Sequence, residues 1–97
     1  MGARSAKTER PRLLWNWRYD VLHSDLPPRA RLLLLAIAHH LNDATEFCLL
    51  TPRQLTAETG MSAEHVTDAL RVAVEHGLVE VLEVEHGQLC LTRVHRA

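Results

Sequence analysis

The sequence predicts a mostly helical α+β domain with three main helices and a small antiparallel β-sheet. Three observations carry this expectation. Thr51 to Thr59 and Ser62 to about His76 read as two short amphipathic helices joined by a turn at Gly60. After them, a run rich in β-branched residues from Leu78 to Glu85, a His86-Gly87 turn and an alternating run from Gln88 to Val94 form a hairpin. Before them, the Ala- and Leu-rich stretch from Pro28 to about Asn42 has helical periodicity and is apolar nearly all round, as a helix with partners on more than one side must be.

A chain of 97 residues supports one small core and one binding surface, with little room for a buried catalytic cleft. Its hydrophobic and charged fractions, 46% and 24%, are those of an ordered soluble chain rather than a disordered one. The longest apolar run, Leu32 to Ala38, is too short to cross a bilayer, so no membrane association is expected. The basic N-terminus has no apolar stretch behind it, and Met1-Gly2 lacks the hydroxyl that a myristoylation signal needs because Ala6 stands there. A cytoplasmic protein is therefore expected. Cys48 and Cys90 lie far apart without Cys-x-x-Cys spacing and are expected to be reduced; both fall on expected strands that can be neighbours.

The formal net charge of −1 hides an asymmetry. Residues 1–23 carry Arg4, Lys7, Arg10, Arg12 and Arg18 against Glu9 and Asp20, about +3, and the remainder carries about −4. Residues 1–12 are polar and basic and read as a flexible arm. Residues 13–24 form an aromatic extension holding both tryptophans and the tyrosine. There Trp15, Trp17, Tyr19 and Val21 alternate as on a strand, while Leu14, Trp17, Val21 and Leu22 fit a helical stripe. An extended segment or one short turn of helix is the expectation, with the indoles serving core or dimer packing.

Residues 25–95 make up the main domain. Pro27-Pro28 suits the first turn of a helix. Asn42 to Glu46 reads as a turn and Phe47 to Leu50 as a short strand. Thr51-Pro52-Arg53-Gln54 is a capping box with proline at the first helical position, a well-marked helix start. That helix buries Leu55 and stops at Gly60; Ser62 caps the next, whose expected stripe is Val66, Ala69, Leu70, Ala73 and Val74, with Gly77 closing it.

In this order of elements, Leu55, Gly60-Met61-Ser62, Val66, Ala69-Leu70 and Gly77-Leu78-Val79 resemble the winged helix-turn-helix superfamily of bacterial and phage DNA-binding proteins. Asp25 to Arg31, with the Leu-Ala helix after it, looks like helix-turn-helix proteins of actinobacterial or mobile-element type. The resemblance implies that the second motif helix enters the major groove, the first crosses the phosphates and the hairpin forms a wing along the backbone or minor groove. Carried over by position, it makes Ala63, Glu64, Thr67, Asp68 and Arg71 the base-reading surface. Thr51 and Arg53 would sit near phosphate, and Glu83, Glu85, His86, Gly87 and Gln88 would form the wing tip.

The chain departs from the superfamily on this surface. Related helices often carry Arg or Lys where Ala63, Thr67 and Asp68 stand, and DNA affinity draws chiefly on cations neutralising phosphates. Glu64 and Asp68 can still accept from the cytosine amino group. The cations must then come from elsewhere: Arg29, Arg31, Arg53, Arg71, Arg93, Arg96 and the arm, with Arg4 and Lys7 placed to enter an adjacent minor groove.

No Gly-rich phosphate loop, nucleophile elbow or metalloprotease spacing is present, so catalysis is not expected. Seven histidines raise a metal site, with His39-His40 and Cys48 the nearest grouping. Adjacent histidines on a helix point about 100° apart, so neither a metal nor another cofactor is expected. The functional expectation is a sequence-specific binder of double-stranded DNA acting as a homodimer, a transcriptional regulator or a mobile-element or phage accessory factor. The alternative keeps the fold but has the acidic motif helix and wing bind a basic protein partner.

Overall fold

The computed structural model describes residues 13–95, the side chains of residues 83–85 excepted. The expected arm over residues 1–12, with Arg4 and Lys7, lies outside the described residues, as does Arg96. In chain order the elements are α1 (Leu14–Leu22), α2 (Pro28–Ala38), β1 (Phe47–Leu50), α3 (Pro52–Thr59), α4 (Ala63–Glu75), β2 (Val79–Glu85) and β3 (Gln88–Arg93). The strands form one antiparallel sheet in the order β1-β3-β2. This is the α+β winged-helix architecture expected.

Helix α2 is the centre of the core. Ala30, Leu33, Leu34 and Ile37 are sealed against α1, α3 and α4, while Leu32 alone of its leucines stands 44% exposed. Its end differs from the sequence expectation of about Asn42. The last turn tightens, with His40 N–H donating to Ile37 at 2.9 Å and Leu41 N–H to Ala38 at 3.1 Å. Asn42 opens the expected turn, its side-chain oxygen accepting from the N–H groups of Ala44 at 2.8 Å and Thr45 at 3.1 Å.

The aromatic extension is a nine-residue helix, not an extended segment or a single turn. It has no cap of its own. The N–H of Leu14 instead donates to Asp43 Oδ1 at 2.7 Å, from the turn after α2. Helical spacing buries Trp17 and Val21 completely, whereas Trp15 is 66% exposed and stacks on Tyr19 at 5.4 Å, so one indole points in and the other out.

On β1 and β3 the pairings Cys48↔Leu91 and Leu50↔Leu89 carry the face turned to the core, and Phe47↔Thr92 and Leu49↔Cys90 the outer face. The two thiols are thus neighbours in register on opposite faces, and both are free. On β2 the register slips between Val81 and Glu83, leaving Leu82 as the extra residue of a bulge. His86 and Gly87 at the hairpin tip both have positive φ, 51° and 76°, the twist that a tight two-residue turn needs.

Arg93 corrects a second expectation. It occupies an inward position of β3 opposite Val79, is 2% exposed, donates to the Asp43 carbonyl at 3.3 Å and lies 3.5 Å from Glu46 Oε2. It clamps the 42–46 turn to the sheet, which Thr92 Oγ1 reinforces by donating to the Glu46 carbonyl at 2.7 Å, and it is not available to phosphate.

Candidate nucleic-acid interface

The motif is built by two local devices and one glycine. At the start of α3, Gln54 N–H donates to Thr51 Oγ1 at 3.1 Å and Thr51 N–H donates to Gln54 Oε1 at 2.7 Å, closing the capping box with Pro52 at the first helical position. Gly60 ends α3 with φ of 75°, a left-handed conformation that any Cβ would strain. Ser62 then caps α4 by accepting from His65 N–H at 3.2 Å.

Helix α4 is fixed by one stripe. Val66, Ala69 and Ala73 are buried, Leu70 and Val72 flank them half-buried, and Leu55 of α3 lies fully buried in the same core. Val74, expected on the stripe, is 39% exposed because it falls about 100° from the stripe's centre. Met61 packs against the core beneath the turn. With that side anchored, the opposite face of α4 must meet solvent.

That face gathers five of the expected residues. Ala63, Glu64, Thr67, Asp68 and Arg71 are all exposed and line one shallow, open depression of about 370 Å³. The others lie on different elements. Thr51 is half-buried, its hydroxyl and N–H committed to the capping box, and Arg53 is exposed in the first turn of α3. Gln88 is exposed on the wing, at the start of β3.

Charge is distributed unevenly over these groups. Arg71 is bound on both sides: Nη2 donates to Asp68 Oδ1 at 2.5 Å, and Nη1 donates to Glu75 at 3.1 Å. Its hydrogen bond to Asp68, then that to Glu75, raises its pKa further above the ordinary guanidinium range. Helix α4 itself therefore presents more negative than positive charge. Arg31, counted from the sequence among the available cations, is half-buried and donates to the carbonyls of Leu26 at 2.8 Å and Ser24 at 3.0 Å, clipping the chain ahead of α2. Among the described residues, Arg29 and Arg53 are exposed and form no ion pair.

Sequence reasoning missed one feature beside this face. Pro27, Pro28, Arg29, Ala30, His65, Asp68, Ala69 and Val72 line a second depression of about 360 Å³ between the start of α2 and the side of α4. Asp68 borders both depressions, and Arg29 is brought to the flank of the motif helix. The Pro-Pro-Arg sequence marked a helix start; only the tertiary approach of α2 to α4 shows what Arg29 is beside.

Two helices joined by a tight turn, the second with an outward polar face, followed by a hairpin closing a small sheet, define a winged helix-turn-helix protein. The model of the MarR family matches residues 24–88, about two thirds of the chain. The chain belongs to the MarR family, a winged helix-turn-helix DNA-binding family. The comparisons with curated proteins and with solved structures found no match. Among the described residues no helix is long and apolar enough to cross a membrane.

Proposed function

We propose that this chain is a cytoplasmic, non-enzymatic, sequence-specific DNA-binding regulator of bacterial or mobile-element type, acting on double-stranded DNA as a homodimer. The observation that carries the reading is the face of α4: its buried stripe locks the helix while Ala63, Glu64, Thr67, Asp68 and Arg71 stand together in one open depression. That is the disposition a helix needs to enter the major groove. Arg53 in the first turn of α3 and Arg29 beside α4 supply phosphate contacts, and Arg4 and Lys7 of the basic segment supply more. In this reading Thr51 lies near the DNA backbone through its place at the start of α3, and Gln88 makes the wing contact.

Dimerisation would bring two such helices to two half-sites. An apolar face supports it: Leu13, Trp15, Tyr19 and Leu22 are 44%, 66%, 45% and 52% exposed, with Trp15, Tyr19 and His23 stacked in a row along α1. Sedimentation of the Trp15→Glu variant should show a monomer where the unaltered chain shows a dimer.

A second reading has the acidic face of α4 bind a basic protein. Glu64, Asp68 and Glu75 against the single Arg71 favour it. A gel shift on mixed genomic fragments at low ionic strength separates the two. The DNA reading expects a shift that weakens on every sequence when residues 1–12 are removed, and that weakens with a lower salt slope when Arg53 or Arg71 becomes alanine. No shift, with a protein retained instead, supports the second.

A further inference from the structure

The five residues on the open face of α4 differ in what they can offer a base edge, and the difference follows from their partners. Arg71 is held from both ends of its helical neighbourhood. Asp68, three residues before, takes Nη2 at 2.5 Å, and both oxygens of Glu75, four residues after, lie 3.1 Å from Nη1. A long side chain that would otherwise sample many rotamers is thereby kept along the helix surface. Of the five N–H donors on a guanidinium, Nε–H and the second hydrogen on Nη2 remain unclaimed by these carboxylates. Glu64, in the first turn of α4, makes no hydrogen bond or ion pair among the described residues and is a free acceptor.

The major groove presents these two groups with unequal choices. A fork of donors finds two adjacent acceptors, O6 and N7, on guanine. A carboxylate finds a donor on cytosine N4; on adenine the N6 donor sits beside N7, an acceptor that opposes a negative group. Resting on the DNA-binding reading above, we propose that α4 selects G·C pairs: Arg71, positioned by Asp68 and Glu75, donates to guanine O6 and N7, and Glu64 accepts from cytosine N4. The two readers are seven residues apart, two turns of helix and about 10 Å along its axis. At about 3.4 Å per base-pair step, they address G·C pairs about three steps apart. The acids that make α4 a poor phosphate binder thus act as readers and as supports of a reader.

The test is selection of duplexes from a randomised library by the full chain at low salt, with Glu64→Gln, Asp68→Asn and Arg71→Lys run in parallel and each variant's fold verified by its melting curve. The unaltered chain should enrich G·C at two positions about three steps apart. Arg71→Lys should relax the preference at one of them by about 5- to 150-fold, the range that a bidentate base contact spans, and leave the other intact. Glu64→Gln should relax the second alone. Asp68→Asn should weaken discrimination at the Arg71 position without loss of total affinity, because it removes a negative charge as well as a support. Enrichment of A·T pairs, or G·C preferences that persist in Arg71→Lys and Glu64→Gln, overturns the proposal while leaving the DNA-binding reading in place. A folded chain that retains no duplex overturns both.

Discussion

The indole Nε1–H of Trp17 donates to the carbonyl oxygen of Leu78 at 2.8 Å, linking residues 61 apart in sequence. The same oxygen accepts the N–H of Val94 at 3.1 Å, so α1, the start of β2 and the segment leaving β3 meet at one atom. The base of the wing is therefore held to the N-terminal helix by a directional bond inside the core. Trp17→Phe should lower unfolding stability by about 1–3 kcal/mol, from lost volume and the lost bond together. Trp15→Ala, at a 66% exposed site, should change monomer stability by no more than about 0.5 kcal/mol. Urea unfolding followed by circular dichroism, at chain concentrations low enough to dissociate the proposed dimer, compares them; equal effects would contradict the division of the two indoles.

The capping box at Thr51 and Gln54 closes with bonds of 2.7 and 3.1 Å and sets where α3 starts. Thr51→Ala should cost about 1 kcal/mol, whereas Thr51→Ser, which keeps the accepting oxygen, should cost less. Unfolding midpoints of the two variants check this.

Burial, and then the neighbouring Cys90, push the Cys48 thiol from 9.0 up to about 11. The fold therefore favours the neutral thiol. This contribution to stability is fully present below about pH 9, where the unfolded thiol begins to ionise, and is lost as the pH rises towards about 11. Urea midpoints at pH 8 and 10.5 should fall further for the unaltered chain than for Cys48→Val. At pH 8 a thiol reagent should modify Cys90, which is half-exposed, well before Cys48, which is 8% exposed.

What was legible in the sequence is what is determined locally. Helices α3 and α4 and the wing turn are set by Thr51 and Gln54, by Gly60, by Ser62 and by His86-Gly87, signals that act within a few residues. Helix α1 was illegible because its cap comes from Asp43, 29 residues away, and its strand-like alternation is overruled by the burial of Trp17 and Val21. Arg93 looked like a solvent cation because nothing near it in sequence announces the Asp43 carbonyl and the Glu46 carboxylate that enclose it. On the candidate site, the outward face of α4 followed from its buried stripe. The bracing of Arg71 was readable from the spacing of Asp68 and Glu75 yet carried meaning only with the geometry, and the place of Arg29 beside α4 needed the packing of two helices.

This fold is proposed to bind duplex DNA through cations lying mostly off its motif helix. Fluorescence anisotropy of a labelled duplex titrated with the full chain over a series of salt concentrations tests it most directly. Log K should fall linearly with log salt, and Arg53→Ala should reduce the slope by about 1. A folded chain whose duplex binding is absent at low salt, or is indifferent to salt and to Arg53→Ala, would contradict it.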